Sequence, residues 1–274
     1  MDLLINLPEA QAAGTSGVGG KALALARLMS AGFRVPPGAC ITTEAFRLYL
    51  EETRLSERIL REVYRKKRDH MRWEEMWDTA LRIRGLFQKT PLPPAMERDL
   101  AASIEERFGA RPVVVRSSST IEDSRESSHA GLHESYINIT GTDRILEHVR
   151  LVWASLWSDA SLLLSDETVM NSDLDAMAVV IQELVEGESS GVVFTVDPTD
   201  DAHGVVESVH GLNKGLVDGD VEPDRWIIRR EDGTILKHDE PVRDKAIEIS
   251  HEGTREASRK DLLDSPPLSD REVK

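Results

Sequence analysis

The stretch that decides the fold is an apolar run followed by an arginine and a series of hydroxyl side chains, Val113-Val114-Val115-Arg116-Ser117-Ser118-Ser119-Thr120. The three β-branched residues predict a strand that ends at Arg116. We interpret the hydroxyl residues as a loop, and a second strand-like run that reaches Ile139 begins after Ala130-Gly131. Hydroxyl donors beside a permanent guanidinium cation suit an oxyanion, and a glycine lets backbone approach it closely. The sequence therefore predicts a strand, loop and strand that together bind a phosphate.

The composition limits the partners of such a site. The chain has 274 residues, which favours two lobes over one. Its 49 acidic and 34 basic side chains give a net charge of −15, which argues against binding to nucleic acid or to anionic membranes. No basic region followed by an apolar core opens the chain, and no apolar run reaches membrane-spanning length. We therefore expect a cytoplasmic protein whose phosphate site is built from a few local cations.

A second candidate phosphate site is the glycine-rich stretch Gly14-Thr15-Ser16-Gly17-Val18-Gly19-Gly20-Lys21, which precedes a predicted helix. A glycine loop that opens a helix favours anion binding, because the first backbone N–H groups of the helix lack partners. The stretch does not match a Walker A loop, which would need a glycine at position 15 and a hydroxyl at position 22. Lys21 could still reach a phosphate as a flexible point charge. The alternative, a flexible turn with a solvated lysine, stays open at this point.

The single cysteine is interpreted as a packing residue. Cys40 lies in the apolar run Ala39-Cys40-Ile41, and one cysteine excludes intramolecular disulfides and cysteine-rich metal sites. No neighbouring cation lowers its pKa toward the range of a reactive thiolate. Residues 55–108 are expected to be helical, with Trp73 and Trp77 in the core of the protein.

The chain is expected to divide into three regions. These are an N-terminal lobe over 1–174, a β-rich second lobe over 175–250 and a polar tail over 251–274. Apolar runs at 177–185 and 191–196, separated by five polar or glycine residues, are interpreted as an antiparallel pair. The tail ends in Ser269-Asp270-Arg271-Glu272, a capping box that announces a helix. We expect the chain to be a fragment or a shortened form that stops before this helix.

Four segments together resemble the N-terminal ATP-binding domain of the phosphoenolpyruvate synthase, pyruvate phosphate dikinase and rifampicin phosphotransferase family. They are Val18-Gly19-Gly20-Lys21-Ala22 with residues 31–38, Val115-Arg116-Ser117-Ser118 with Glu122-Asp123 and Ala130-Gly131, residues 180–185 with 190–195 and Asp197-Pro198, and residues 206–208 with Gly211-Leu212 and Pro223-Asp224. The segments occur in the family's order and cover nearly the whole chain. The resemblance implies an α+β, ATP-grasp-like fold whose two lobes close on a nucleotide, with a helical insertion in the N-terminal half.

The resemblance also implies a phosphate-binding group of residues. Lys21 and Arg116 fall on the family's phosphate-contacting lysine and arginine, which would act in catalysis by neutralising charge during phosphoryl transfer. Gly131 falls in the loop that covers the phosphates. Ser135 takes the place of a hydroxyl that threonine usually supplies in this family.

The nucleotide base and the metal are assigned in the same way. Gln182 matches a nucleotide-contacting residue, and the backbone at Glu183 and Leu184 would face adenine. The resemblance suggests Glu207 as an acidic neighbour of Mg²⁺. One departure affects this region, because Asn213-Lys214 replaces the second Gly and the Glu of the family's Gly-Leu-Gly-Glu. A second departure is that the family's Gln-Asp-x-Glu motif, which supplies further magnesium ligands, would lie after Lys274.

The function that the resemblance implies is binding of Mg-ATP and transfer of a phosphoryl group to a histidine on a separate swivelling domain or chain. The partners would be that phosphohistidine domain and a domain that binds pyruvate, phosphoenolpyruvate or another acceptor, so the chain is expected to be a phosphotransferase domain that is incomplete alone. The alternative is a non-catalytic nucleotide-sensing or partner-binding module that kept the fold, which the lysine at position 214 favours. A third reading is a solvated hydroxyl loop on an acidic surface that mediates protein association.

Overall fold

A computed structural model describes residues 2–67, 70–120, 134–164, 176–197, 199–251 and 253–274. The chain forms two compact units, Met1–Leu184 and Val185–Lys274. Both units combine helices with antiparallel sheets, which is an α+β organisation. In the ranges given above, no helix is long and apolar enough to cross a membrane.

The first unit is built on a five-stranded sheet in which every neighbouring pair is antiparallel. Its order is β1-β2-β5-β3-β4, with β1 at Leu4–Asn6, β2 at Gly38–Ile41, β3 at Val113–Ser119, β4 at Ser135–Ile139 and β5 at Met177–Glu183. The central strand β5 is buried along all but its last residue. Helices cover both faces of this strand, so a continuous apolar sequence is required there.

Seven helices surround the sheet in the described part of this unit. They are α1 (Ala10–Ser30), α2 (Thr43–Glu52), α3 (Leu55–Val63), α4 (Trp73–Lys89), α5 (Pro94–Phe108), α6 (Thr142–Ala154) and α7 (Asp159–Leu164). Local sequence explains several of their ends. Thr42 caps α2 by accepting the N–H of Ala45 at 3.4 Å, Pro94 begins α5, and Gly109 ends it with a φ of +53°.

The two faces of the sheet carry separate cores. The larger core contains Trp153, which is fully buried, stacks on Tyr49 with 5.2 Å between ring centroids, and donates its indole N–H to the carbonyl of Met177 at 3.0 Å. The smaller core lies under α1 and includes Cys40 and Val180. Among the described helices, α1 therefore packs on one face, while α2 to α6 contribute to the core on the other.

The expectation that Trp73 and Trp77 lie in the core is wrong. Their exposed fractions are 57% and 48%. Residues at spacing four lie on one face of a helix, and these two point away from the buried face of α4, which is formed by Thr79, Ala80, Ile83 and Phe87. The tryptophans at the centre of the cores are instead Trp153 and Trp226.

Cys40 is a packing residue, as the sequence indicates. Its side chain is fully buried, its thiol lies 3.7 Å from the carbonyl oxygen of Val18, and burial raises the pKa of the thiol far above its usual range.

We expect Ellman's reagent to modify Cys40 only through unfolding, so modification of the folded protein should be slower than in denaturant by about 10³-fold or more. Comparable rates in buffer and in urea would contradict this.

The second unit contains a four-stranded antiparallel sheet and a separate hairpin. The sheet order is β6-β7-β8-β9, with β6 at Ser189–Phe194, β7 at His203–His210, β8 at Asp224–Arg229 and β9 at Ile235–Asp239, and the hairpin joins β10 (Lys245–Ser250) to β11 (Gly253–Ser258). Two short helices are α8 (Lys214–Asp218) and α9 (Asp270–Val273). The predicted pairing of 177–185 with 191–196 is wrong, because β2 and β3 already occupy both edges of β5.

The division between the units falls after Leu184, whereas the sequence placed the lobe boundary between residues 174 and 175. The difference arises because β5 is the central strand of the first sheet.

The segment 251–274, which the sequence analysis describes as a polar tail, contains regular structure. The capping box forms as Glu272 accepts the N–H of Ser269 at 2.8 Å, and Val273 packs with Val206 and Trp226.

Candidate phosphate and nucleotide site

The glycine-rich stretch forms two breaks inside α1. Gly14 and Gly19 have φ values of +67° and +73°, and the helix continues after each break. At Gly19 a close approach adds to the backbone requirement, because a Cβ atom would lie 2.0 Å from the carbonyl oxygen of Ser118. Only glycine fits a position with both constraints. The break at Gly19 starts a new helical segment that carries Lys21 immediately above strand β3.

A buried serine joins this segment to the sheet. The hydroxyl of Ser118 donates to the carbonyl of Val18 at 2.7 Å and accepts the N–H of Ala22 at 3.1 Å. The side chain therefore caps the helical segment in the way that an N-cap serine would, although it is about 100 residues away in sequence. Val18, Ala22 and Ser118 are all fully buried, so this connection is structural.

The predicted hydroxyl loop is wrong over residues 117–119. Strand β3 continues through Ser119, and Ser117, Ser118 and Ser119 lie opposite Val179, Ala178 and Met177 of β5, respectively. All three serines are buried, and Ser118 has both hydrogen-bonding partners described above. A small side chain is needed at Ser118 because α1 packs directly on this face of the strand, so this residue serves helix packing before any ligand.

The strand register brings the main sequence-predicted residues to one sheet face. Alternate residues of a strand share a face, so Arg116 points to the same side as Ser118 and therefore toward the side that α1 covers. Gln182 lies opposite Val114 and shares this face. From strand spacing, the Cα atoms of Arg116 and Gln182 are roughly 8 Å apart. The structure thus places Arg116, Gln182 and the helix that carries Lys21 together.

Arg116 places a positive charge on this face of the sheet. It is partly buried, and its side chain forms no hydrogen bond or ion pair with any residue that the structure describes. A guanidinium group carries five N–H donors and stays charged at all physiological pH values. A partly buried cation without an acidic partner is suited to bind an external anion.

Gln182 is held in place by the turn before β2. Its exposed fraction is 7%, and its Nε2 donates to the carbonyl of Pro36 at 3.0 Å. One of the two amide N–H donors is used in this contact, which leaves the second N–H donor and the Oε1 acceptor for a ligand. An exocyclic amino group of a nucleotide base would supply the matching donor.

The backbone N–H groups of Glu183 and Leu184 already have partners. They donate to the carbonyls of Pro37 at 2.9 Å and Pro112 at 3.0 Å. The Glu183 carboxylate forms an ion pair with Arg111, which the sequence analysis did not single out. Contacts to adenine at these two residues would therefore have to use groups other than their N–H donors.

The remaining residues that the sequence predicts for the site are Ser135, Gly131 and Glu207. Ser135 begins β4, is exposed, and lies directly opposite Arg116. Gly131 lies outside the described residues. In the second unit, Glu207 is partly buried in β7 and its carboxylate lies 3.5 Å from Nε of Arg225. Over the described ranges, no group of three or more His, Cys, Asp or Glu side chains could hold a metal ion.

The lysine that departs from the family pattern has a local partner. Lys214 begins α8 and forms an ion pair with Asp218 one helical turn later. Its charge is therefore compensated within the helix. The preceding Asn213 has a buried side-chain oxygen without a hydrogen-bond partner among the residues that the structure includes.

Comparison with known proteins gives the class of this chain, a nucleotide-binding domain. Residues 15–274 match the family described as pyruvate phosphate dikinase, AMP/ATP-binding domain. The chain belongs to this family. The predicted resemblance is confirmed, because the match covers nearly the whole chain.

Individual relatives give the same result. The chain is 37% identical to the phosphoenolpyruvate synthase of Aeropyrum pernix over 240 residues, which is 84% of this chain and 29% of the relative. It is 32% identical to a rifampicin phosphotransferase of a Streptomyces species over 270 residues, 97% of this chain and 31% of the relative. The rifampicin phosphotransferase of Bacillus subtilis is 29% identical, with 94% and 30% covered. The chain thus spans about a third of the length of these relatives.

Proposed function

We propose that this chain is the ATP-binding domain of a phosphoenolpyruvate-synthase-like phosphotransferase, with an ATP-grasp-like fold. It binds Mg-ATP and passes a phosphoryl group to a histidine on a separate domain or chain. The single observation that supports this most strongly is Arg116, a partly buried cation that has no partner among the described side chains and shares a sheet face with Gln182 and α1.

In this proposal each residue has a chemical role. Arg116 and Lys21 contact the phosphates and stabilise the negative charge that shifts onto the leaving oxygen during transfer. Ser135 donates its hydroxyl to a phosphate oxygen, and Gly131 allows backbone to approach it. Gln182 accepts a hydrogen bond from the base, and the backbone near Glu183 and Leu184 lines the adenine. These assignments rest on the family resemblance together with the positions described above.

Magnesium enters the proposal as the ion bound to ATP. The residue that the resemblance suggests for the metal is Glu207, but its carboxylate lies 3.5 Å from Nε of Arg225, and the described residues supply no cluster of oxygen ligands. Mg²⁺ prefers several oxygen ligands and retains water readily. The described residues therefore do not by themselves form a magnesium site.

Calorimetry tests the binding part of the proposal. Titration of the chain with ATP in the presence of magnesium should release heat with a stoichiometry near one, and titration with inorganic phosphate at the same concentration should give much weaker binding. The difference is expected because the base and the triphosphate contribute separate contacts. Absence of detectable ATP binding at millimolar concentration would refute the proposal.

A second candidate function is a nucleotide sensor that binds ATP without transferring phosphate. The observation that favours it is Lys214, a cation where the family usually has a carboxylate. Incubating the chain with Mg-ATP labelled with ³²P at the β-position and with a separately produced phosphohistidine domain of a relative separates the two functions. Acid-labile label on the partner's histidine supports transfer, while ATP binding without label supports the sensor.

A further inference from the structure

The strand that carries Ser135 has an irregular register. Val113 lies opposite Ile139, yet Val115 lies opposite Tyr136 and Arg116 opposite Ser135, so β4 contains one extra residue in this interval. Asn138 lies in the interval with a φ of +64°, a conformation that few residues other than glycine and asparagine adopt. These features define a β-bulge, which shifts one strand by a residue relative to the other.

The bulge decides which side chain faces Arg116. Counting from Val113 and Ile139 without an extra residue would place Tyr136 opposite Arg116 and turn Ser135 to the other face. With the bulge, the small hydroxyl side chain lies beside the guanidinium. The phenol ring instead packs against the larger core and contacts His148 edge-on, with 4.7 Å between ring centroids.

A cluster from another helix holds the shifted register at the other end of β4. Arg84 of α4 donates to the hydroxyl of Tyr136 at 2.9 Å and forms an ion pair with Glu134, and the Tyr136 hydroxyl donates to Glu134. Glu134 and Tyr136 flank Ser135 and share the opposite face. Fixing both of them leaves Ser135 only the face on which Arg116 lies.

We propose that the Asn138 bulge and the cluster of Arg84, Glu134 and Tyr136 are positioning elements that hold the Ser135 hydroxyl beside Arg116 for a phosphate. The inference rests on the proposed function for the identity of the ligand, but the register itself can be tested without any ligand. The residues act through Ser135, so replacing them should change ATP affinity by about the value of one hydrogen bond, 3- to 10-fold.

The register is tested by cross-linking. Residues directly opposite each other in antiparallel strands are close enough for a disulfide, so the double variant Arg116→Cys/Ser135→Cys should oxidise readily. Adding Asn138→Val, which strongly disfavours a positive φ, should slow cross-linking at least tenfold, whereas adding Asn138→Gly should preserve it. Equal rates with valine and glycine would overturn the bulge as the positioning element.

The second arm measures ATP affinity by calorimetry in variants that keep Arg116. Asn138→Val and Arg84→Ala should weaken binding 3- to 10-fold, and Asn138→Gly should restore most of the affinity as a conservative replacement. The matched control is Arg82→Ala on the same helix, which pairs with Asp78 and Glu62 and should bind as the parent does. Circular dichroism confirms that each variant is folded.

The outcomes separate the two proposals. Unchanged affinity in Asn138→Val and Arg84→Ala, with ATP binding intact in the parent, overturns the positioning role and leaves the proposed function standing. If the parent binds no ATP, the proposed function fails, and cross-linking alone then supports or overturns the register mechanism. Equal loss of affinity in the valine and glycine variants also overturns it, because the backbone conformation would not be responsible.

Discussion

Replacing Arg116 with alanine is expected to weaken ATP binding by about 10- to 150-fold, the effect of losing hydrogen bonds from a charged donor to phosphate. The effect should be large because Arg116 is partly buried and has no acidic partner among the described side chains, so its charge is available to the ligand. Arg116→Lys should recover part of the affinity, since it keeps the charge and loses the planar fork.

The control for this experiment is an arginine that differs only in its surroundings. Arg98 on α5 is largely exposed, with its nearest carboxylate, Asp99, at 3.8 Å, so Arg98→Ala should leave the dissociation constant for ATP unchanged. Calorimetry at two salt concentrations would also show whether the lost interaction is electrostatic. If Arg116→Ala bound ATP as tightly as the parent, the assigned phosphate contact would be incorrect.

Replacing Gly19 with alanine is expected to destabilise the first unit by about 3 kcal/mol or more, and to weaken ATP binding as well. The added Cβ would overlap the carbonyl of Ser118, and alanine disfavours the positive φ. The helical segment must then shift away from β3, which breaks the contacts of the Ser118 hydroxyl with Val18 and Ala22. Urea unfolding followed by circular dichroism measures the loss.

Gly14 provides a matched control for this substitution. It has nearly the same φ, +67°, but a Cβ there would meet no atom within 4 Å. Gly14→Ala should therefore cost only the conformational penalty, about 1–2 kcal/mol. Equal destabilisation by the two substitutions would show that the close approach to Ser118 is unimportant. A stable Gly19→Ala protein with reduced ATP affinity would show that the shift of Lys21 matters more than packing.

Local sequence patterns were sufficient to predict many of the helices and strands. The apolar run of β5 and the capping residue Thr42 predict elements that the structure contains. Family membership follows from four separated segments and is confirmed by the match over 15–274. These features depend on residues near one another in sequence, or on a pattern distributed along the whole chain, so no knowledge of the tertiary contacts was needed.

The errors have a common physical origin in contacts between distant residues. Ser118 was assigned to a ligand-binding loop, but α1 approaches β3 so closely that its hydroxyl is buried. The helical spacing of Trp73 and Trp77 is compatible with either face, and the position of the sheet leaves them exposed. The run 191–196 predicts a strand, which the structure forms over Ser189–Phe194, but only the sheet register decides that its partner is β7.

By itself, the sequence determined the family and the mixed α+β class. It also predicts Lys21, Arg116 and Gln182 as the residues for phosphate and base, and these roles stay predictions. Only the tertiary structure decided that Arg116 and Gln182 share the sheet face under the helix of Lys21, and that Ser135 lies opposite Arg116. The reason is that a strand alternates its faces with every residue. One extra residue at the Asn138 bulge reverses the side on which Ser135 points, and the sequence carries no strong local signal for it.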